Sequence, residues 1–191
     1  LLIYDAINSL LIKNKILAPK LYSENYKKNY IEIEDFGDDS VFDLLKKNKS
    51  PFVIQHSQGT PENMQNNPSY KNVIKEVNYF FESKNKELAD FGIDSKYIIN
   101  DPGIGFGKLL EHNLQVLSAG REILPNKDIS LMWGVSRKKL FADLLGRDEN
   151  IDRLAGTLGV AAMAPSKEVD IIRVHDVAEH NDLYLTMGAI K

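Results

Sequence analysis

Four short polar stretches carry the residues able to do chemistry: Gln55–Pro61 (QHSQGTP), Asn100–Lys108 (NDPGIGFGK), Gly134–Lys139 (GVSRKK) and Arg173–Val177 (RVHDV). NDPGIGFGK places glycine at 103, 105 and 107 with Lys108 behind them, which looks like a phosphate cradle. It fails both nucleotide patterns. A P-loop needs glycine five residues ahead of its Gly-Lys pair, where this chain has Pro102, and Ser or Thr after the lysine, where it has Leu109. The dinucleotide fingerprint wants glycine at 108. What remains is a carboxylate, Asp101, beside a backbone that glycine lets approach a ligand closely, with the Phe106 ring available to cover a flat one. A carboxylate matches a planar, guanidine-like N–H edge through two parallel charge-assisted bonds. The simpler reading is that Asp101 caps the next helix and the glycines make a tight turn.

In GVSRKK, Arg137 and Lys138 stand where a helix is expected to begin. Cations there oppose the helix dipole, so they call for an anion or an electron-rich heterocycle, unless they are solvated surface charges. In RVHDV, strand alternation sends Arg173 and His175 to one side and Val174 to the other. Two donors on one side form a clamp for a diphosphate or another polyanion. A structural His175–Asp176 hydrogen bond is an equal alternative. His112 and His180 read as surface residues, and His56 has no second ligand at a metal-binding spacing.

Something must hold these stretches together. Short apolar runs at Leu1–Tyr4, Ile31–Ile33, Phe52–Ile54, Tyr97–Ile99, Ile129–Trp133 and Val169–Val174 read as strands. Helical spacing recurs in Val73, Val77, Phe80 and Phe81, then in Leu110, Leu114 and Leu117. It returns in Leu140–Leu145 before Gly146, and in Leu154, Leu158, Ala161 and Ala162 before Pro165. Strands alternating with helices imply βαβ units and a parallel sheet. Four loaded strand ends favour a (β/α)8 barrel over a doubly wound sheet, whose ligands gather at one switch point. Pro19–Tyr30, rich in Asn, Lys and Tyr, reads as an exposed inserted loop.

The 191 residues make one domain with a sizeable core, and 43% hydrophobic with 27% charged residues is an ordinary globular composition. A net charge of −3 without a basic stripe argues against nucleic acid. No apolar run reaches the ~20 residues of a membrane helix. The absence of cysteine excludes disulfides and is consistent with a reducing, cytoplasmic setting.

Taken in order, QHSQGTPENMQ, NDPGIGFGK, GVSRK, RLAGTLGVAAMA and RVHDV resemble the dihydropteroate synthase family, closely over 51–191 and loosely before. The resemblance implies a (β/α)8 barrel that joins a dihydropterin diphosphate to p-aminobenzoate, releasing diphosphate with Mg2+. It makes Asp101, Lys138, Arg173 and His175 the working residues. Asp101 would hold the pterin's N–H edge, with Phe106, Gly105 and Lys138 around the ring. Lys138 and Lys139 would border p-aminobenzoate, while Arg173 and His175 would take the diphosphate. LLIYDA would be the third barrel strand, with Asp5 a second pterin aspartate, and IEIEDF the fourth, with Glu34 at its end. On this reading residues 1–191 are one incomplete domain covering strands 3–8, and the Mg2+ ligand belongs to a first strand that has no counterpart here. A homodimer through helices near the C-terminus is implied as well.

Three departures from the family pattern stand out. Glu34-Asp35 replaces Asn-Asp, Gln55 and Ser57 replace methionines, and Lys139 replaces a serine. Two other readings stay open: a partial chain that binds pterin without catalysis, and a methyltetrahydrofolate-dependent methyltransferase type of pterin domain.

Overall fold

The computed structural model describes residues 13, 21–25, 30–33, 41–60, 63–64, 66–146, 149 and 153–190. They fall into two compact units, Leu1–Leu44 and Leu45–Lys191. In the first, β1 (Leu21–Asn25) pairs antiparallel with β2 (Tyr30–Ile33), from Leu21 opposite Ile33 to Asn25 opposite Tyr30. The Ser23 hydroxyl donates to Glu32 across the pair at 2.8 Å. The stretch expected as a loop over Pro19–Tyr30 therefore contains a strand. Ile31–Ile33 is extended as expected, but its partner is β1 in a separate two-stranded sheet. The reason is proximity: an antiparallel neighbour four residues away closes at once, whereas parallel pairing needs a crossover of a dozen or more. Leu1–Tyr4, Asp5, Glu34 and Asp35 lie outside the described residues.

Helix α1 (Val41–Asn48) leads into β3 (Phe52–Gln55), α2 (Val73–Asp90), β4 (Ile98–Asp101), α3 (Leu110–Ala119) and β5 (Ser130–Trp133). Then follow α4 (Leu140–Leu145), α5 (Leu154–Met163), β6 (Ile171–Ile172) and α6 (Val177–Ala189). Strands β3, β4, β5 and β6 form one parallel sheet whose spatial order follows the chain. A doubly wound sheet reverses its order at a switch point; a barrel does not. The fold is a partial (β/α) barrel.

Strand alternation divides the labour between the two faces. Ile54, Leu131, Trp133 and Ile172 face the helices and pack in one core with Val77, Phe81, Val116 and Phe141. Gln55 is the register partner of Asp101, and both lie on the opposite face. On that face Val53 and Ile171 remain exposed.

The helix termini follow from local chemistry. The Asn72 side chain accepts from the Lys75 N–H at 3.0 Å, while Glu76 accepts from the Lys71 and Asn72 N–H groups. That reciprocal cap satisfies donors that a helix start leaves orphaned. Strand β6 is shorter than the expected Val169–Val174. The Asp170 carboxylate takes the Leu131 N–H at 2.7 Å, and backbone bonds from Asp170 and Arg173 to β5 carry the alignment past both ends of β6.

Candidate active site

Asp101 ends β4 with no solvent exposure. Its Oδ1 accepts the Gly103 N–H at 2.8 Å, and its Oδ2 accepts the Gln55 side-chain amide at 2.9 Å. Arg173 brings Nη2 to 3.8 Å from Oδ2. The tight turn of the simpler reading is present, but Asp101 does not cap the next helix. At the start of α3 the Leu109 N–H donates to Nδ1 of His112 at 3.2 Å. His112 is thus a buried capping residue rather than a surface one, and His180 is buried too, donating from Nδ1 to the Asp176 carbonyl at 2.6 Å.

The glycines have separate tasks. A Cβ on Gly103 would lie 1.8 Å from the His56 carbonyl oxygen, so this position admits the end of β3. A Cβ on Gly105 would meet the Lys138 stem at 3.1 Å, and the Gly105 N–H is held by Asn113 at 2.7 Å. The loop is shaped to pass two neighbours, which is why no nucleotide pattern fits it.

Lys108 is tied down inside the protein, with the Asp101 charge close enough to act on it. Its Nζ is buried and donates to the carbonyls of Gly103 and Phe106 at 3.1 and 3.2 Å and to Nδ1 of His56 at 2.9 Å. It ties the loop's two ends to β3. Burial pushes Lys108 down to about 7, and burial together with the Lys108 charge pushes His56 down to about 4. Both folded values lie below the unfolded ones, so the unfolded chain binds more protons in the intervening ranges, and stability rises with pH there. Stability is expected to climb between pH 4 and 6.5 as the unfolded state's histidine deprotonates, and again above pH 7 as the unfolded lysine approaches 10.5. Urea midpoints measured across pH check this. Lys108→Met should shrink the upper limb to the share that Lys138 contributes above pH 8, and midpoints falling with rising pH would refute the assignment.

The loop after β5 turns on Arg137, whose φ is +57°. Its guanidinium pairs with Asp176 through two bonds, one of them 3.0 Å from Nε to Oδ2. The Arg137 hydrogen bond holds the Asp176 carboxyl below the usual carboxylate range. The anion expected opposite this cation is therefore a side chain of the chain itself, at the start of α6. The Arg137 N–H donates to Thr157 at 3.1 Å, and its carbonyl accepts from Arg153 at 3.1 Å. With Arg137 held by Asp176, Lys138 reaches back to the loop after β4. Its Nζ donates to the Ile104 carbonyl and lies 4.3 Å from the centre of the Phe106 ring. Burial pushes Lys138 down to about 8, against the raising effect of Asp101.

Arg173, half exposed, reaches over Gly134, where a Cβ would lie 2.6 Å from Nη2. His175 is oriented by Ser136. The buried hydroxyl oxygen accepts the His175 backbone N–H at 3.1 Å and lies 2.9 Å from the ring's Nδ1. That contact holds the ring by Nδ1 and fixes its orientation, and the tautomer sets which of the two groups donates. The structural His175–Asp176 bond considered from sequence is replaced by Ser136 and Arg137.

Two adjoining clefts result. One, of about 80 Å³, is lined by Gly134, Ser136, Lys138, Arg173, Val174 and His175. The other, of about 310 Å³, has Phe106, Leu110, Lys138, Lys139 and Asp143 among its lining. Lys138 stands in both. Lys139 is exposed and forms an i,i+4 pair with Asp143 at 3.2 Å. The structure thus gathers Asp101, Gly105, Phe106, Lys138, Arg173 and His175, and leaves Lys139 at the rim. Sequence reasoning missed Ser136, Asn113 and the Lys108–His56 tie. Their partners sit 8 to 52 residues away, and no local spacing signals them.

A family model described as pterin binding enzyme matches residues 28–175. A bifunctional dihydropteroate synthase/dihydropteroate reductase of Helicobacter pylori is 36% identical over 160 residues, covering 84% of this chain and 41% of that protein. The solved dihydropteroate synthase of Stenotrophomonas maltophilia with imidazole in its active site superposes with a TM-score of 0.73 at 32% identity. That match covers 78% of this chain and 56% of the other. A dihydropteroate synthase from Xanthomonas albilineans in complex with 7,8-dihydropteroate gives 0.70 at 28% identity, covering 78% and 53%. The chain spans about half the length of the curated relatives it matches. The matched span contains Asp101, Lys138, Arg173 and His175, each at a strand end or in the loop that follows one, and this chain belongs to the pterin binding enzyme family.

Proposed function

We propose that this protein acts as a dihydropteroate synthase, joining a dihydropterin diphosphate to p-aminobenzoate. The observation that carries the reading is a fully buried carboxylate, Asp101, 3.8 Å from Arg173, which lines a cleft together with Lys138 and His175. Asp101 would accept the pterin's N–H edge while Phe106 and the Lys138 stem cover the ring. The bond from the pterin's exocyclic carbon to the diphosphate oxygen then breaks, and the bond to the amine nitrogen forms. The departing diphosphate takes the electron pair, and the arylamine gives up a proton. Arg173 and His175 face the region where that negative charge develops, and donors aimed there stabilise a transition state more than a ground state. The amine is a nucleophile without help, so positioning is the main task of the second cleft.

Mg2+, when bound, would add positive charge at the diphosphate. Among the described residues no group of three His, Asp or Glu side chains forms a ready metal site. A homodimer is part of the proposal, supported by exposed Val177, Leu185 and Ile190 on and just after α6.

The test mixes the purified protein with dihydropterin diphosphate, p-aminobenzoate and Mg2+ and follows dihydropteroate and diphosphate. Formation of both is expected. Absence of both, together with no heat of pterin binding in calorimetry, would overturn the reading. Arg173→Ala is expected to lower kcat/KM about 100-fold, the scale of losing one charge-stabilising donor.

A further inference from the structure

We infer that Gln55 is a positioning residue for the heterocycle, fixing the plane of the Asp101 carboxylate so that each oxygen keeps one lone pair for a two-toothed N–H edge. This rests on the pterin reading above. Gln55 and Asp101 are register partners on adjacent parallel strands, and the side-chain bond between them is 2.9 Å. A carboxylate only accepts, so the amide edge turned toward Asp101 is the NH2 group.

An ionised carboxylate offers about four lone-pair sites. Gly103 takes one on Oδ1 and Gln55 one on Oδ2. One site is left on each oxygen, the set that two parallel N–H bonds require. Held at Oδ1 alone, the group would pivot about its terminal torsion, which is broad for an sp3–sp2 bond. Arg173 does not supply the second anchor, because 3.8 Å lies beyond hydrogen-bond length. Gln55 does, and an acceptor already oriented loses less freedom on binding.

The role separates from simple filling of the β3 terminus by its dependence on a donated proton. Calorimetry on the full chain compares a 2-amino-4-oxo dihydropterin with the analogue lacking the 2-amino group. Gln55→Met, which has no proton to give, should weaken the amino form about tenfold and the analogue less, narrowing the discrimination between them. Gln55→Glu, at a pH high enough to ionise both carboxyls, would face the Asp101 charge and lose about 100-fold in affinity. As pH falls and the new carboxyl takes a proton, its O–H donates to Oδ2 and affinity recovers. Asp101, Lys138, Arg173, His56 and Lys108 are present in both variants, so the Gln55→Met profile subtracts their titration.

Unchanged discrimination in Gln55→Met, or no acid recovery in Gln55→Glu, would overturn the inference. If the unsubstituted chain binds neither compound, the pterin reading itself fails and takes this one with it.

Discussion

Asp101→Ala loses the heterocycle: affinity for dihydropterin diphosphate is expected to fall by about 1,000-fold or more. Hydrogen bonds to a charged group are worth about 1.5–3 kcal/mol each, and two parallel bonds are lost together. No neighbour can substitute. The cleft beside Asp101 is lined by Lys138, Arg173 and His175 and, among the described residues, holds no other carboxylate. The alanine variant also strands the Gly103 N–H and the Gln55 amide, which adds a structural share to the loss. Asp101→Asn separates the two effects. It keeps the volume and an oxygen for Gly103 but turns an NH2 group toward Gln55 and Arg173. We expect a fold unchanged by circular dichroism with pterin affinity still down about 100-fold. Calorimetric affinity within a few-fold of the unsubstituted chain would mean the heterocycle lies elsewhere.

Gly103→Ala is expected to destabilise the protein by more than about 3 kcal/mol, in the range reserved for mutations that break packing or backbone geometry. Its φ of +68° already disfavours any side chain, at about 1–2 kcal/mol. Steric overlap is the larger cost, because the new Cβ meets a backbone carbonyl, His56 O, at 1.8 Å and not a flexible side chain. Moving that carbonyl pulls on the bond from the His56 N–H to the Asp101 carbonyl, 2.9 Å long, so the two loaded strand ends separate. Gly159→Ala is the control with the opposite sign. Gly159 sits inside α5, where an added Cβ would meet nothing within 4 Å, and helix propensity alone favours alanine there by about 1 kcal/mol. Urea denaturation of both variants reads the two signs directly. A Gly103→Ala midpoint equal to that of the unsubstituted chain would show that the loop does not pack on β3 as described.

Much of this protein was legible before any coordinates. The period of Val73, Val77 and Phe81 marks a helix because 3.6 residues per turn put all three on one face, and they are buried in the core. Gly146 stops α4 in a left-handed cap, as glycine there should. Loaded strand ends foretold a barrel-type site, because the loops after parallel strands share one end of the sheet. The resemblance then attached roles to Asp101, Lys138, Arg173 and His175, and the structure brings those four side chains to one place.

What the sequence settled alone are choices made by neighbours within a few residues: helix faces, caps, turns, and which loops carry chemistry. Only the tertiary structure decided which charges meet. Arg137 and Lys138 are adjacent and alike on paper, yet one is neutralised by Asp176, 39 residues on, and the other reaches back to Ile104, 34 residues before it. Lys108 has no role on paper once the phosphate patterns fail, and His56, 52 residues away, gives it one. Gln55 reads only as a replaced methionine until β3 pairs with β4 and sets it beside Asp101. Local propensity acts along the chain, whereas Coulomb attraction and hydrogen bonding act across space. The partner of a polar group is fixed only when the sheet register and the turns are.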